Sequence, residues 1–123
     1  MNINNCKQLT DEAFKYIKGI HTLHMSNCDQ ITNKGFKYLQ SKIKNSDTKV
    51  SNQNFKFSGI HTLYMSCCDQ KTITDEGFKY LEGIHTLDIS FCKQITDEAF
   101  KYLKGIHTLH MSCCNQKFIT DEA

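Results

Sequence analysis

The sequence lacks the features that mark membrane, secreted or nucleic-acid-binding proteins. No stretch approaches the roughly 18 consecutive apolar residues that a transmembrane helix needs, so no membrane partner is expected. The first residues form neither a basic nor an apolar segment, and we expect no secretory signal. The net charge is only +2, with no basic run, so no nucleic-acid partner is expected.

Disulfide bonds are also not expected, although the chain has seven cysteines. Their number is odd, no export signal is visible, and most of them recur at one position of a repeat. A recurring position is typical of packing. We therefore expect reduced thiols and an intracellular, cytoplasmic location.

A repeated motif dominates what is present. Gly-Ile-His-Thr-Leu occurs four times, and its copies begin at Gly19, Gly59, Gly83 and Gly105. Self-similarity at this period predicts one array of stacked units over residues 1–123. The units are residues 1–18 (partial), 19–40, 59–82, 83–104 and 105–123 (partial). Residues 41–58 are either a degenerate repeat, which the alignment of their second half favours, or a polar surface loop.

Each unit reads as a strand followed by a short helix. In unit 83–104, Leu87 and Ile89 alternate with polar residues, which indicates a strand with one buried face. Thr96 then precedes two acids as a helix N-cap would, and Gly105 stands where a helix-ending glycine is expected. One unit cannot bury its own apolar edge, so stacking predicts an α/β solenoid with a parallel sheet.

The consensus L-x-x-L-x-(L/I/M)-x-x-C-x-x-I-T-D-x-(A/G)-F-x-x-L resembles the cysteine-containing leucine-rich repeat of F-box/leucine-rich-repeat proteins. The motif G-I-H-T-L-x-(M/I)-S-x-C is also similar to motifs in repeat proteins of large DNA viruses. The resemblance implies parallel strands on a concave face and short helices on a convex face. It further implies a non-catalytic protein–protein interaction module that recognises substrates for a ubiquitin ligase, although we see no F-box.

A binding surface is predicted on the strand side chains that face away from the core. Threonine and serine columns are constant, whereas two columns vary between units. The central column contains His24, Tyr64, Asp88 and His110, and the column beside the serines contains Asn27, Cys67, Phe91 and Cys113. We predict that these eight residues bind a protein partner. Neutral drift on a solvated face is the alternative.

Catalytic and metal-binding interpretations are weaker. Asp88, His110 and Ser112 suggest a triad, but serine occurs at that position in every unit and a flat sheet offers no oxyanion donors. We therefore predict no catalytic residues and no enzyme. The histidines His21, His61, His85 and His107 are predicted to form structural hydrogen bonds at the strand entries. Cys67 and Cys113 are predicted to be too far apart for a shared zinc ion, so neither metal nor cofactor is expected.

Three alternatives remain for function: specific protein recognition, a truncated array without a specific partner, and a His/Cys metal-binding protein. The helix lysines are predicted to form a solvated face with alternating acids and without aromatic residues. The sequence shows no pattern typical of a capping repeat at either end. We therefore predict self-association through apolar edges at residues 1–6 and 107–119.

Overall fold

The computed structural model describes residues 1–40, 59–68 and 72–114. The predicted degenerate repeat or loop at 41–58 and the end of the last unit lie outside the described residues. Within these three ranges, no helix is long and apolar enough to cross a bilayer.

Four parallel strands form one sheet in chain order. They are β1 (Thr22–His24), β2 (Thr62–Tyr64), β3 (Thr86–Asp88) and β4 (Thr108–His110). Neighbouring strands pair so that equivalent residues of each unit lie side by side, as Leu63 does between Leu23 and Leu87. An isolated bridge from Asn2 to His24 extends the pairing toward the N-terminus. The sheet order therefore follows the repeat order, as stacking requires.

A short helical segment follows each of β1, β2 and β3, and a fourth lies in the N-terminal partial unit; the type of helix differs from unit to unit. Two are four-residue α-helices, α1 (Asn33–Phe36) and α2 (Asp97–Phe100), and two are 3₁₀ helices, Asp11–Ile17 and Asp75–Leu81. The predicted N-cap is present before α2, where the Thr96 side chain accepts from the Glu98 N–H. The threonines before the 3₁₀ helices make no such cap, which fits their different first turn.

The core is made of the same positions in units 19–40, 59–82 and 83–104. Fully buried residues include Leu23, Leu63, Leu87, Met25, Met65, Ile89, Cys28, Cys68, Cys92, Ile31, Ile73 and Ile95. This confirms the predicted α/β solenoid, with the strand leucines inside. In the last unit, Leu109 and Met111 are only partly buried because no described unit packs beyond them. Self-association through this edge stays a prediction.

The turns that lead into the strands use glycine as expected. Gly19, Gly83 and Gly105 have φ values of 80°, 84° and 80°, which a residue with a Cβ adopts only at a cost. After each of these turns, the isoleucine N–H donates to the carbonyl three residues earlier, as Ile84 does to Leu81.

The turn before β2 is closed by residues distant in the chain. The Ile60 N–H donates to the Leu39 carbonyl over 3.0 Å, in the role that the Leu81 carbonyl has for Ile84. β1 and β2 are also direct neighbours in the sheet. The units on either side of residues 41–58 therefore pack against each other as consecutive units.

Candidate functional site

The sheet register assembles the central column of the predicted site. Tyr64 pairs with His24 on one side and with Asp88 on the other, and Asp88 pairs with His110. The rings of His24 and Tyr64 stack with centroids 4.5 Å apart and planes 16° from parallel. His110 is exposed and the other three residues are half-buried. The four side chains thus form one row that a partner can reach.

A histidine ladder lies beside this row. Its rings, from His21, His61, His85 and His107, stack with centroids 4.3–4.4 Å apart. In each unit, Nδ1 of the ring lies 2.9–3.0 Å from Oγ1 of the following threonine. This confirms the predicted structural hydrogen bond at the strand entry.

The position of His61 within the ladder makes the stability of the protein depend on pH. Burial lowers the pKa of His61, and the neighbouring His21 and His85 lower it further. The folded state therefore favours neutral His61. Its contribution to stability is complete above the unfolded pKa of about 6.5 and decreases as the pH falls below that value.

We expect the melting temperature of the protein to fall between pH 7.5 and pH 5, and to fall less in His61→Gln. The variant removes the group whose protonation favours the unfolded state. Thermal unfolding of both proteins at the two pH values measures the difference. An equal decrease in both proteins would contradict a role for His61 in the pH response.

The serine column links neighbouring units. The hydroxyls of Ser26 and Ser66 lie 3.1 Å apart, and the Ser112 N–H donates to Ser90 Oγ over 3.1 Å. The Asp88 carboxylate accepts the Ser90 N–H over 2.9 Å. Across the described parts of the chain, Asp88 makes no hydrogen bond to a histidine, so the residues of the suspected triad are neighbours without a triad geometry.

The second variable column is placed differently from the prediction. Asn27, Cys67, Phe91 and Cys113 do not lie in strands; they form the corner after each strand, with φ between 57° and 64°. The corner conformation lets an N–H donate to the next unit, as that of Phe91 does to the Ser112 carbonyl over 2.9 Å. All four side chains are exposed. Asparagine at this position was the available signal, because it tolerates positive φ better than most residues.

Phe91 has the bulkiest side chain of the four corner residues, and its φ of 64° lies in the left-handed region. A non-glycine residue in the left-handed region costs about 1–2 kcal/mol, and asparagine reduces that cost with a local side-chain hydrogen bond. We expect Phe91→Asn to raise the free energy of unfolding by about 1 kcal/mol. Urea denaturation measures the change, with Phe91→Leu as the control that keeps the strain. A less stable asparagine variant would contradict this account.

The core cysteines are packing residues, as predicted. The thiols of Cys68 and Cys92 donate to the carbonyls of Met25 and Met65 in the preceding unit, over 3.5 Å and 3.3 Å. Burial raises the pKa of Cys68 to about 11 and raises the pKa of Cys92 further. All seven cysteines are free thiols. In the ranges that the structure covers, no group of three or more His, Cys, Asp or Glu side chains could hold a metal ion.

Carboxylates that link the helical segments were missed by the sequence analysis. The two oxygens of Asp75 accept from the backbone N–H and the hydroxyl of Thr96 in the next unit, over 2.8 Å and 2.5 Å. The equivalent pairs are Asp11 with Thr32, and Asn33 with Thr74. The recurring Thr-Asp dipeptide was the signal, but it also matches a helix start, which is the role that the sequence predicts for it.

The expectation that the helix face lacks aromatic residues is wrong. Lys79 and Lys101 each lie 5.1 Å from the ring centroid of the following tyrosine, Tyr80 or Tyr102. The recurring Lys-Tyr dipeptide carried this information. Acids do alternate with the lysines as expected, since Lys101 Nζ lies 3.2 Å from the Glu98 carboxylate.

Comparison with known proteins agrees with the architecture. A family model described as Leucine Rich repeat matches residues 84–103. The chain is similar to a chain in the crystal structure of the Rad7 and Elc1 complex in yeast, with a TM-score of 0.64 and 15% identity. The match covers 99% of this chain and 29% of that one, so this chain spans less than a third of its length. A search of curated proteins gave no match. With the four-stranded parallel sheet, these findings show that the chain folds as a leucine-rich-repeat α/β solenoid.

Proposed function

We propose that this chain is a non-catalytic protein–protein interaction module that recognises its partner through a recognition face. This face comprises the central column (His24, Tyr64, Asp88, His110) and the corner column (Asn27, Cys67, Phe91, Cys113). One observation carries the proposal: along the strands and corners, the positions whose side chains change in charge, polarity or aromatic character between units have access to solvent, whereas the core positions keep apolar side chains. The constant threonines and serines beside them bond to neighbouring residues within the array.

The recognition face contains residues that suit a protein contact. Tyr64 and Phe91 are aromatic side chains with few rotatable bonds, and such residues provide much of the binding energy in protein interfaces. The Phe91 side chain is 47% exposed and stands on a strained backbone. A strained position that carries an exposed aromatic ring is more easily understood from binding than from folding.

We further propose that the partner is a substrate delivered to a ubiquitin ligase in a reducing, cytoplasmic compartment. The resemblance to F-box/leucine-rich-repeat proteins supports the first part. The seven free thiols, with the core thiols held as protonated donors, support the second. A captured partner whose ubiquitination does not change when this chain is present would contradict delivery to a ligase.

Affinity capture with matched variants tests the interaction module itself. One variant carries Tyr64→Ala, Asp88→Ala and Phe91→Ala on the recognition face. The control carries Lys79→Ala and Lys101→Ala on the helix face. We expect the wild type and the control to retain the same partner, and the recognition-face variant to lose it. A partner that the recognition-face variant retains, or that both variants lose equally, would overturn the proposal.

A further inference from the structure

We propose that the recognition face contains a slot for the planar guanidinium group of a partner's arginine. The arginine slot lies between the side chains of Tyr64 and His110, with the Asp88 carboxylate at its floor. The inference rests on the proposed interaction function and specifies the chemistry of the partner.

The slot arises because a ring is missing from a row of rings. In the neighbouring histidine ladder, the residue before each strand contributes a ring, and successive rings stack at 4.3–4.4 Å. In the central column, His24 covers one face of Tyr64 at 4.5 Å, and the next strand supplies the short side chain of Asp88. Two strand spacings of roughly 4.8 Å separate Tyr64 from His110, which leaves about 9–10 Å. One planar group fits there at stacking distance from both.

The Asp88 carboxylate supplies the charge of the slot. Oδ1 of Asp88 accepts the Ser90 N–H over 2.9 Å. Among the residues that the structure describes, none donates to its Oδ2 and none forms an ion pair with Asp88. The flanking columns present neutral hydroxyls of Thr86 and Ser90. A half-buried carboxylate in these surroundings favours a cation that brings hydrogen-bond donors.

Arginine satisfies both requirements of the slot. Its guanidinium group is planar, stacks on aromatic rings and donates two parallel hydrogen bonds to one carboxylate. A lysine ammonium group carries the same charge but cannot fill the space between two rings. A neutral ring would fill the space but would leave the Asp88 carboxylate desolvated without a partner.

Peptide titration followed by NMR tests the slot without a cellular partner. The probes are three pentapeptides, Gly-Gly-Xaa-Gly-Gly, with arginine, lysine or the neutral isostere citrulline in the centre. We expect the arginine peptide to bind with about millimolar Kd, and to shift the ring signals of Tyr64 and His110. Citrulline should bind about tenfold more weakly, because it lacks the charge that pairs with Asp88.

Two charge-matched variants complete the test. Asp88→Asn keeps an amide oxygen for the Ser90 N–H but removes the charge, and we expect it to bind arginine about tenfold more weakly. Glu98→Gln removes the same charge from the helix face and should leave binding unchanged. Equal binding of arginine and citrulline, or equal losses in the two variants, would overturn the slot.

The outcomes separate the slot from the proposed function. If the arginine peptide does not bind but Tyr64→Ala, Asp88→Ala and Phe91→Ala together abolish partner capture, the slot proposal is wrong and the recognition face is retained. If the arginine peptide binds at Asp88 but the same triple variant still captures the partner, the slot proposal is retained and the proposal of the recognition face is wrong.

Discussion

A protein lacking residues 41–58 is expected to fold and to melt at a temperature equal to or above that of the full chain. The deletion joins Gln40 to Gly59 and produces the sequence Leu-Gln-Gly-Ile. This has the spacing of Leu-Glu-Gly-Ile at 81–84, where Gly83 makes the turn into β3. The hydrogen bond that closes the new turn, from Ile60 to Leu39, already exists.

Loop entropy gives the direction of the effect. Each doubling of loop length costs about 0.6 kcal/mol, so shortening this connection to two residues should stabilise the fold by roughly 1–2 kcal/mol. Thermal unfolding followed by circular dichroism measures the change. The premise is that residues 41–58 are an insertion between two consecutive units, which we propose in place of the degenerate repeat.

Deletion of residues 83–104 is the matched control. It also leaves a continuous repeat, because it joins Glu82 to Gly105, but it removes a unit whose Leu87 and Ile89 are fully buried. We expect a lower melting temperature because one stacking interface is lost. If the deletion of 41–58 lowers the melting temperature as much as this control does, residues 41–58 act as a stacked repeat and the insertion proposal is wrong.

Replacement of Asp75 by alanine is expected to lower the free energy of unfolding by about 2–3 kcal/mol. The carboxylate accepts two hydrogen bonds from Thr96 in the next unit. Without it, a partly buried N–H and a hydroxyl lose their acceptors, and the helical segments of two units lose their connection. Urea denaturation of purified protein measures this change.

The chain itself provides the conservative control for this prediction. Asn33 occupies the equivalent position one unit earlier; its Oδ1 accepts the Thr74 N–H over 3.0 Å and its Nδ2 donates to the Thr74 hydroxyl over 2.8 Å. Asp75→Asn should therefore cost less than about 1 kcal/mol. Equal destabilisation by alanine and asparagine would show that the charge of Asp75, and not its hydrogen bonds, links the units.

Much of the fold could be predicted because its signals repeat. The spacing of Leu87, Ile89 and Cys92 recurs from unit to unit, and only stacking in register buries the copies in units 19–40, 59–82 and 83–104 at once. The same logic places His21 beside His61, so the histidine ladder and its hydrogen bonds could be predicted without coordinates.

Features that depend on the neighbouring unit were harder to predict. Judged from its sequence neighbours, Asp75 is an acid that favours a helix start. In the structure, its carboxylate accepts hydrogen bonds from Thr96 in the next unit. The corner conformation of Phe91 depends on an N–H that donates to the next unit. The choice between α1 and a 3₁₀ helix involves small energy differences within one turn, which a single sequence does not resolve.

The candidate site could also be predicted only in part. Periodicity identified the variable column, because Tyr64 and Asp88 differ while their flanking threonines do not. The order of Tyr64, Asp88 and His110 was predictable, whereas the stacking of His24 on Tyr64, which limits the arginine slot to one free ring face, could be seen only in the structure. Repeat spacing gives the place of a side chain, whereas the chemistry of a surface depends on which side chains become neighbours.

Site-specific photo-crosslinking in cells tests the interaction face most directly. The crosslinker p-benzoylphenylalanine replaces Tyr64 or Phe91 on the recognition face, or Tyr102 on the helix face as a control. We predict that one and the same protein is crosslinked from positions 64 and 91, and not from 102. A partner crosslinked only from position 102, or equally from all three positions, would contradict recognition through the strand face.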